Sequence, residues 1–116
     1  MFSYSGKHLH CEAVPLALIA EAVGTPCYVY STRSILDAWN SYDGAFGSLP
    51  HQICYAVKAN SSLAVLALLA KAGSGFDIVS AGELYRVLAA GGDPARVVFS
   101  GVGKTGAEIE YALAQG

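Results

Sequence analysis

Charge is scarce in this sequence: Asp, Glu, Lys and Arg make up 14% of its 116 residues, whereas 53% are apolar. A domain of this length has too little interior to hide so much apolar surface, so part of it is expected to be covered by something else. Cationic residues are not in excess either. The formal net charge is -2 and no Lys/Arg cluster is interleaved with aromatics, so the electrostatic footprint of a nucleic-acid partner is missing. Cysteine is limited to Cys11, Cys27 and Cys54, an odd number at wide spacing with no C-x-x-C pair. That pattern excludes a disulfide framework and a zinc site, and predicts reduced thiols in a cytoplasmic protein without a bound metal. His8 and His10 would share a strand face, but no third ligand lies nearby in the sequence. Long apolar runs are absent as well. The stretch around Val14 to Ala20 is too short to cross a bilayer, is interrupted by Pro15 and Glu21, and no basic leader precedes it, so neither membrane insertion nor export is expected.

What is present is a repeating order of elements. Apolar spacing predicts a helix over Leu16 to Val23, ended by Gly24-Thr25-Pro26. Cys27-Tyr28-Val29-Tyr30 reads as a short strand of β-formers. Ser31 or Thr32 can cap a helix through about Phe46, with Ile35, Leu36, Trp39, Tyr42 and Phe46 on one stripe. Beyond Gly47-Ser48-Leu49-Pro50, strands at 53–57, 76–79 and 96–99 alternate with helices at about 62–72, 81–90 and 105–115. Ala72-Gly73-Ser74-Gly75 and Ala90-Gly91-Gly92-Asp93-Pro94 are helix stops between them. A βαβαβα series requires a parallel sheet, and three strands cannot close a barrel. The expected fold class is α/β, about three βα units from the amino-terminal part of an eight-stranded (β/α) barrel of the TIM type. The chain is expected to be a piece of a longer protein.

Lys58 ends the apolar run Ile53-Cys54-Tyr55-Ala56-Val57. Alternation puts Cys54, Ala56 and Lys58 on one face, where small side chains leave room for a flat ligand. Taken alone, a strand-end lysine more often just marks where a strand meets solvent. Asp77 sits in a strand expected to be buried on both sides, where an unpaired carboxylate is costly. It needs a cation or several donors, and Lys58 at the edge of the next strand is in reach; the competing reading is an aspartate that caps a turn. Ser80-Ala81-Gly82-Glu83 and Thr105-Gly106-Ala107-Glu108 both fit a capping box. Gly101-Val102-Gly103-Lys104-Thr105 ends like a phosphate-binding loop, but Val98 stands where that pattern requires its first glycine. Gly73-Ser74-Gly75 fails the dinucleotide fingerprint, because Ile78 replaces its third glycine and the glycines precede a strand.

Three segments in register carry a resemblance to a known family: Tyr55-Ala56-Val57-Lys58-Ala59-Asn60, Gly73 through Leu84, and Val98 through Thr105. Together they resemble the pyridoxal-phosphate decarboxylases built on the alanine-racemase type of barrel, and the third is most similar to the diaminopimelate decarboxylase branch. The resemblance runs from about position 25 to Gly116. It implies pyridoxal 5'-phosphate as cofactor, Lys58 as the lysine that bonds to it, and Ala56, Asp77 and Glu83 close to it, although a helix cap alone would equally account for Glu83. It further implies decarboxylation of meso-2,6-diaminopimelate to L-lysine and CO2, in a homodimer with shared active sites. Sister enzymes acting on ornithine or arginine, racemases, and non-catalytic homologues that bind the cofactor share Lys58 and stay open as alternatives. The first 25 residues resemble the family's lead-in, associated with a carboxyl-terminal β-domain, and 26–116 its barrel.

Overall fold

Large apolar residues at alternate strand positions and glycines at helix ends set the elements of the computed structural model. It describes all residues from Met1 to Gly116 and divides into two units, Met1–Ala45 and Phe46–Gly116.

The first unit opens with an antiparallel sheet of β1 (Phe2–Ser5), β2 (His8–Cys11) and β3 (Val14–Pro15), in the order β1-β2-β3. Helices α1 (Leu16–Val23) and α2 (Thr32–Phe46) follow. Ser31 caps α2 by accepting from the Ser34 amide at 3.1 Å. Its hydroxyl donates in turn to Glu12 Oε1 at 2.8 Å, and the same oxygen accepts from the Arg33 amide at 2.8 Å. These bonds hold the Glu12 carboxyl below its ordinary range, the Arg33 amide first among the causes. The strand expected at Cys27–Tyr30 does not form: the segment pairs with neither sheet, and Tyr28 is 92% exposed. β-forming side chains do not make a strand unless a neighbouring backbone supplies the ladder.

The second unit follows the expected series, with boundaries shifted by a residue or two. β4 (Cys54–Ala56), α3 (Leu63–Lys71), β5 (Gly75–Ile78), α4 (Ala81–Ala89), β6 (Val97–Phe99) and α5 (Gly106–Ala114) form a parallel sheet in the order β4-β5-β6. Gly73 (φ 87°) and Gly91 (φ 82°) adopt the left-handed conformation that ends α3 and α4. The Ser74 amide then bonds back to Leu69 O at 3.0 Å and the Gly92 amide to Val87 O at 2.9 Å. The core lies on one face of the sheet, where Phe76 and Ile78 of β5 meet Leu66, Leu84 and Val87 of the helices, all 0–2% exposed. Each such side chain contributes roughly 1.5–3 kcal/mol of burial.

Register determines what the opposite face carries. Cys54 pairs with Gly75, Ala56 with Asp77, and Asp77 with Val98. Since side chains opposite each other in a ladder point the same way, Ala56, Asp77 and Val98 form one row. Val98 is 49% exposed and Ala56 and Asp77 are half-buried. Within these residues, helices cover only the Phe76 and Ile78 side of the Asp77 strand, for which burial on both faces is expected. The apolar surplus also shows here, in Leu63, Tyr85, Val102, Ile109 and Leu113, all exposed.

Candidate active site

The carboxyl edge of the parallel sheet collects the functional groups. β4 ends at Ala56, and Val57–Ala59 forms a single 3₁₀ turn instead of a last strand residue. Strand alternation thus stops short of Lys58, and its direction is set by the turn. Val57 is fully buried and anchors that turn in the core. On the far side, the Tyr55 hydroxyl donates to Asn60 O at 3.2 Å, Asn60 Oδ1 accepts from the Ser62 amide at 3.0 Å, and Arg86 Nε donates to Ser61 O at 2.7 Å. The backbone around Lys58 is pinned on both sides. Its side chain is exposed, and its amine makes no hydrogen bond or ion pair.

Asp77 lies in the adjacent strand, opposite Ala56. The expected pairing with Lys58 is not formed. Instead Asp77 Oδ1 accepts from the Ser100 hydroxyl at 2.5 Å, and Oδ2 makes no hydrogen bond. Ser100 stands one residue beyond β6, where its amide donates to Ile78 O at 2.8 Å and prolongs the ladder. No local pattern in the sequence points to this pair, because it depends on the β5/β6 register.

Glu83 serves the first turn of α4. Ser80 Oγ accepts from the Glu83 amide at 3.2 Å, while Glu83 Oε2 accepts from the Val79 amide at 2.8 Å, one residue upstream of the amide a capping box uses. Glu108 does more than the cap expected of it. Its Oε2 accepts from the Thr105 amide at 2.9 Å and hydroxyl at 3.0 Å, and its Oε1 from the Ala81 amide at 3.1 Å. One carboxylate thereby ties the N-termini of α4 and α5 together. The Thr105 amide, then the Ala81 amide and the Thr105 hydroxyl, hold the Glu108 carboxyl below its ordinary range.

Lys104, the tempting phosphate-loop lysine, folds back on its own loop. Its amine donates to Gly101 O at 2.7 Å and lies 5.5 Å from the centre of the Phe99 ring. A groove of about 540 Å³ runs along β6, α4 and α5 and is lined by Leu84, Val97, Phe99, Ile109 and Leu113. It lies on the helix side and contains neither Lys58 nor Asp77. The candidate chemistry therefore sits on the open face and outside this groove.

An unengaged primary amine on a turn two residues beyond Ala56, and a carboxylate with one free oxygen opposite Ala56 in the next strand, suit a flat cofactor bearing an aldehyde. The family model described as "Pyridoxal-dependent decarboxylase, pyridoxal binding domain" matches residues 32–116. The chain belongs to this pyridoxal-dependent decarboxylase family. It is 63% identical over 105 residues to the diaminopimelate decarboxylase of Vibrio cholerae, covering 90% of this chain and 25% of that one. To the diaminopimelate decarboxylase of Pseudomonas aeruginosa it is 57% identical over 115 residues, covering 99% and 28%. Among solved structures, the M. jannaschii diaminopimelate decarboxylase in complex with L-lysine superimposes with a TM-score of 0.94 at 33% identity, over 99% of this chain and 28% of that one. The chain thus spans about a quarter of the length of these relatives. The expected α/β class holds: the three parallel βα units are the amino-terminal part of the pyridoxal-dependent decarboxylase barrel. No helix is long and apolar enough to cross a membrane.

Proposed function

We propose that these residues are the first part of a pyridoxal-phosphate-dependent carboxy-lyase that converts meso-2,6-diaminopimelate to L-lysine and CO2. The observation that carries the reading is the free Lys58 amine on a 3₁₀ turn at the carboxyl edge of the sheet, two residues beyond Ala56, whose register partner is Asp77. That edge is where barrel enzymes build their sites. Similarity to diaminopimelate decarboxylases at 57–63% identity supports the substrate.

When bound, the cofactor supplies an electron sink for the carbon that loses CO2. Anchoring, proton transfer and positioning fall to residues of this chain. Lys58 offers its amine as the covalent anchor and, once released, as a proton carrier at the reacting carbon. Ala56, by being small, leaves the row open for a planar ring. Asp77 presents its free Oδ2 as a hydrogen-bond acceptor in that row. Glu83 contributes through α4, whose first turn it fixes at the same edge. The remaining contacts to phosphate and pyridine ring come from outside these residues, and so does a second subunit in a homodimer that shares its sites. The protein works in the cytoplasm, and residues 1–25 join a carboxyl-terminal β-domain.

Borohydride reduction of the full-length enzyme, followed by peptide mapping, should place the pyridoxyl label on Lys58. Label on Lys71 or Lys104 would refute the assignment. CO2 release should be far faster from meso-diaminopimelate than from ornithine, arginine or L-lysine, and faster turnover of one of those three would move the enzyme to a sister activity.

A further inference from the structure

We propose that Ser100 is a positioning residue of the cofactor site, acting through Asp77; the proposal rests on the assignment of Lys58 and Asp77 to that site. Asp77 is flanked in register by Ala56 and Val98, neither of which can bond to a carboxylate through its side chain. The Ser100 hydroxyl is the one side-chain donor that reaches it. That hydroxyl has a single proton and two acceptors to choose from, Asp77 Oδ1 at 2.5 Å and Ile78 O at 3.5 Å. The shorter, charge-assisted bond wins. A carboxylate is otherwise loosely held about its last torsion, which is broad and roughly two-fold. Ser100 removes that freedom and leaves Oδ2 as the unused acceptor.

The position of Ser100 is itself secured independently of its side chain. Its amide bonds to Ile78 O at 2.8 Å, continuing the β5/β6 ladder past Phe99. Removing the hydroxyl should therefore leave the strand end in place and release only the carboxylate. This separates a positioning role from a merely structural one.

The test uses the full-length enzyme and measures the dissociation constant of pyridoxal phosphate by resolution and rebinding, with thermal unfolding of the apoprotein alongside. Ser100→Ala should weaken cofactor binding by roughly tenfold, the size of one charge-assisted bond, while the apoprotein unfolds as the parent does. Ser100→Thr, which keeps the hydroxyl, should bind as the parent. Ser100→Cys keeps the volume with only a weak donor; it should match the alanine variant and serves in its place if that variant does not fold. In an Asp77→Ala background, Ser100→Ala should have almost no further effect. Unchanged binding in both Ser100→Ala and Ser100→Cys, or an undiminished Ser100→Ala effect in the Asp77→Ala background, overturns the proposal. Mapping the borohydride label in the unsubstituted enzyme separates the two ideas: label away from Lys58 overturns the functional reading and this proposal together, whereas label on Lys58 with unaltered Ser100 variants overturns this proposal alone.

Discussion

Replacing Gly75 with alanine tests the neighbouring row of the same face, where Gly75 pairs with Cys54. A Cβ at Gly75 would lie 2.6 Å from Arg96 O, 2.6 Å from Gln52 Nε2 and 2.9 Å from Cys54 Sγ, far inside the roughly 3.5–4.0 Å at which atoms pack. Gln52 spans the strands at this point, donating to Cys54 Sγ and to Arg96 O, each at 3.1 Å. Its side chain is exposed and can swing away, at about 0.5–1.5 kcal/mol for the lost amide bond. Arg96 O belongs to the backbone entering β6 and has no such escape, so overpacking adds about 1–3 kcal/mol. The more restricted unfolded chain returns about 0.4–1 kcal/mol. The net expectation is a destabilisation of about 2 kcal/mol, read as a lower urea midpoint at unchanged slope in the full-length enzyme. Gln52→Ala alone should cost no more than its bond, and Gly75→Ala with Gln52→Ala should be about as unstable as Gly75→Ala itself, since that bond is lost in both. A Gly75→Ala protein as stable as the parent, or one fully rescued by Gln52→Ala, would refute the claim that the Arg96 carbonyl forces glycine here.

Asp77→Asn should leave the enzyme folded and raise the activation barrier by roughly 1–3 kcal/mol, a loss of about fivefold to 150-fold in kcat; steady-state kinetics with unfolding as control would show otherwise if the carboxylate has no such role. Glu108→Gln should lower stability at neutral pH, because an amide cannot match a carboxylate that accepts from Thr105 and Ala81. The folded carboxyl lies below its ordinary value of 4.5, so its stabilisation is complete above that value and disappears as pH falls through the lowered one. Parent and variant should therefore converge in urea titrations once the pH has fallen below the lowered value, and a constant gap would contradict the clamp. Ser80→Ala should cost about 0.5–2 kcal/mol by uncapping α4, measurable as a lower unfolding midpoint. Residues 1–116 expressed alone should release no CO2 and self-associate, since the outer strands of the parallel sheet pair only with β5 and Leu113 and Val102 are bare; a monomeric, cooperatively unfolding, active product would contradict this.

Local chemistry was legible in the sequence wherever neighbours along the chain decide it. Gly73 and Gly91 announce the ends of α3 and α4 because few other residues tolerate positive φ, and Ser80 and Thr105 announce the starts of α4 and α5 because a hydroxyl followed by a carboxylate can satisfy the free amides of a first turn. The order of βα units and the prominence of Lys58 come from the same short-range patterns. Cys27–Tyr30 marks the limit of such reading, since its residues favour a strand that no neighbour completes. Only the tertiary structure decided that Lys58 stands on a 3₁₀ turn, that Asp77 turns to Ser100, 23 residues away, and that Glu108 reaches Ala81 across 27 residues. It also decided that Gly75 is needed for space, where Gly73 is needed for its backbone angle. The physical reason is common to all four. A parallel ladder's register is set by which helices close over Phe76 and Ile78, and residues far apart in the chain become neighbours only once that core has formed.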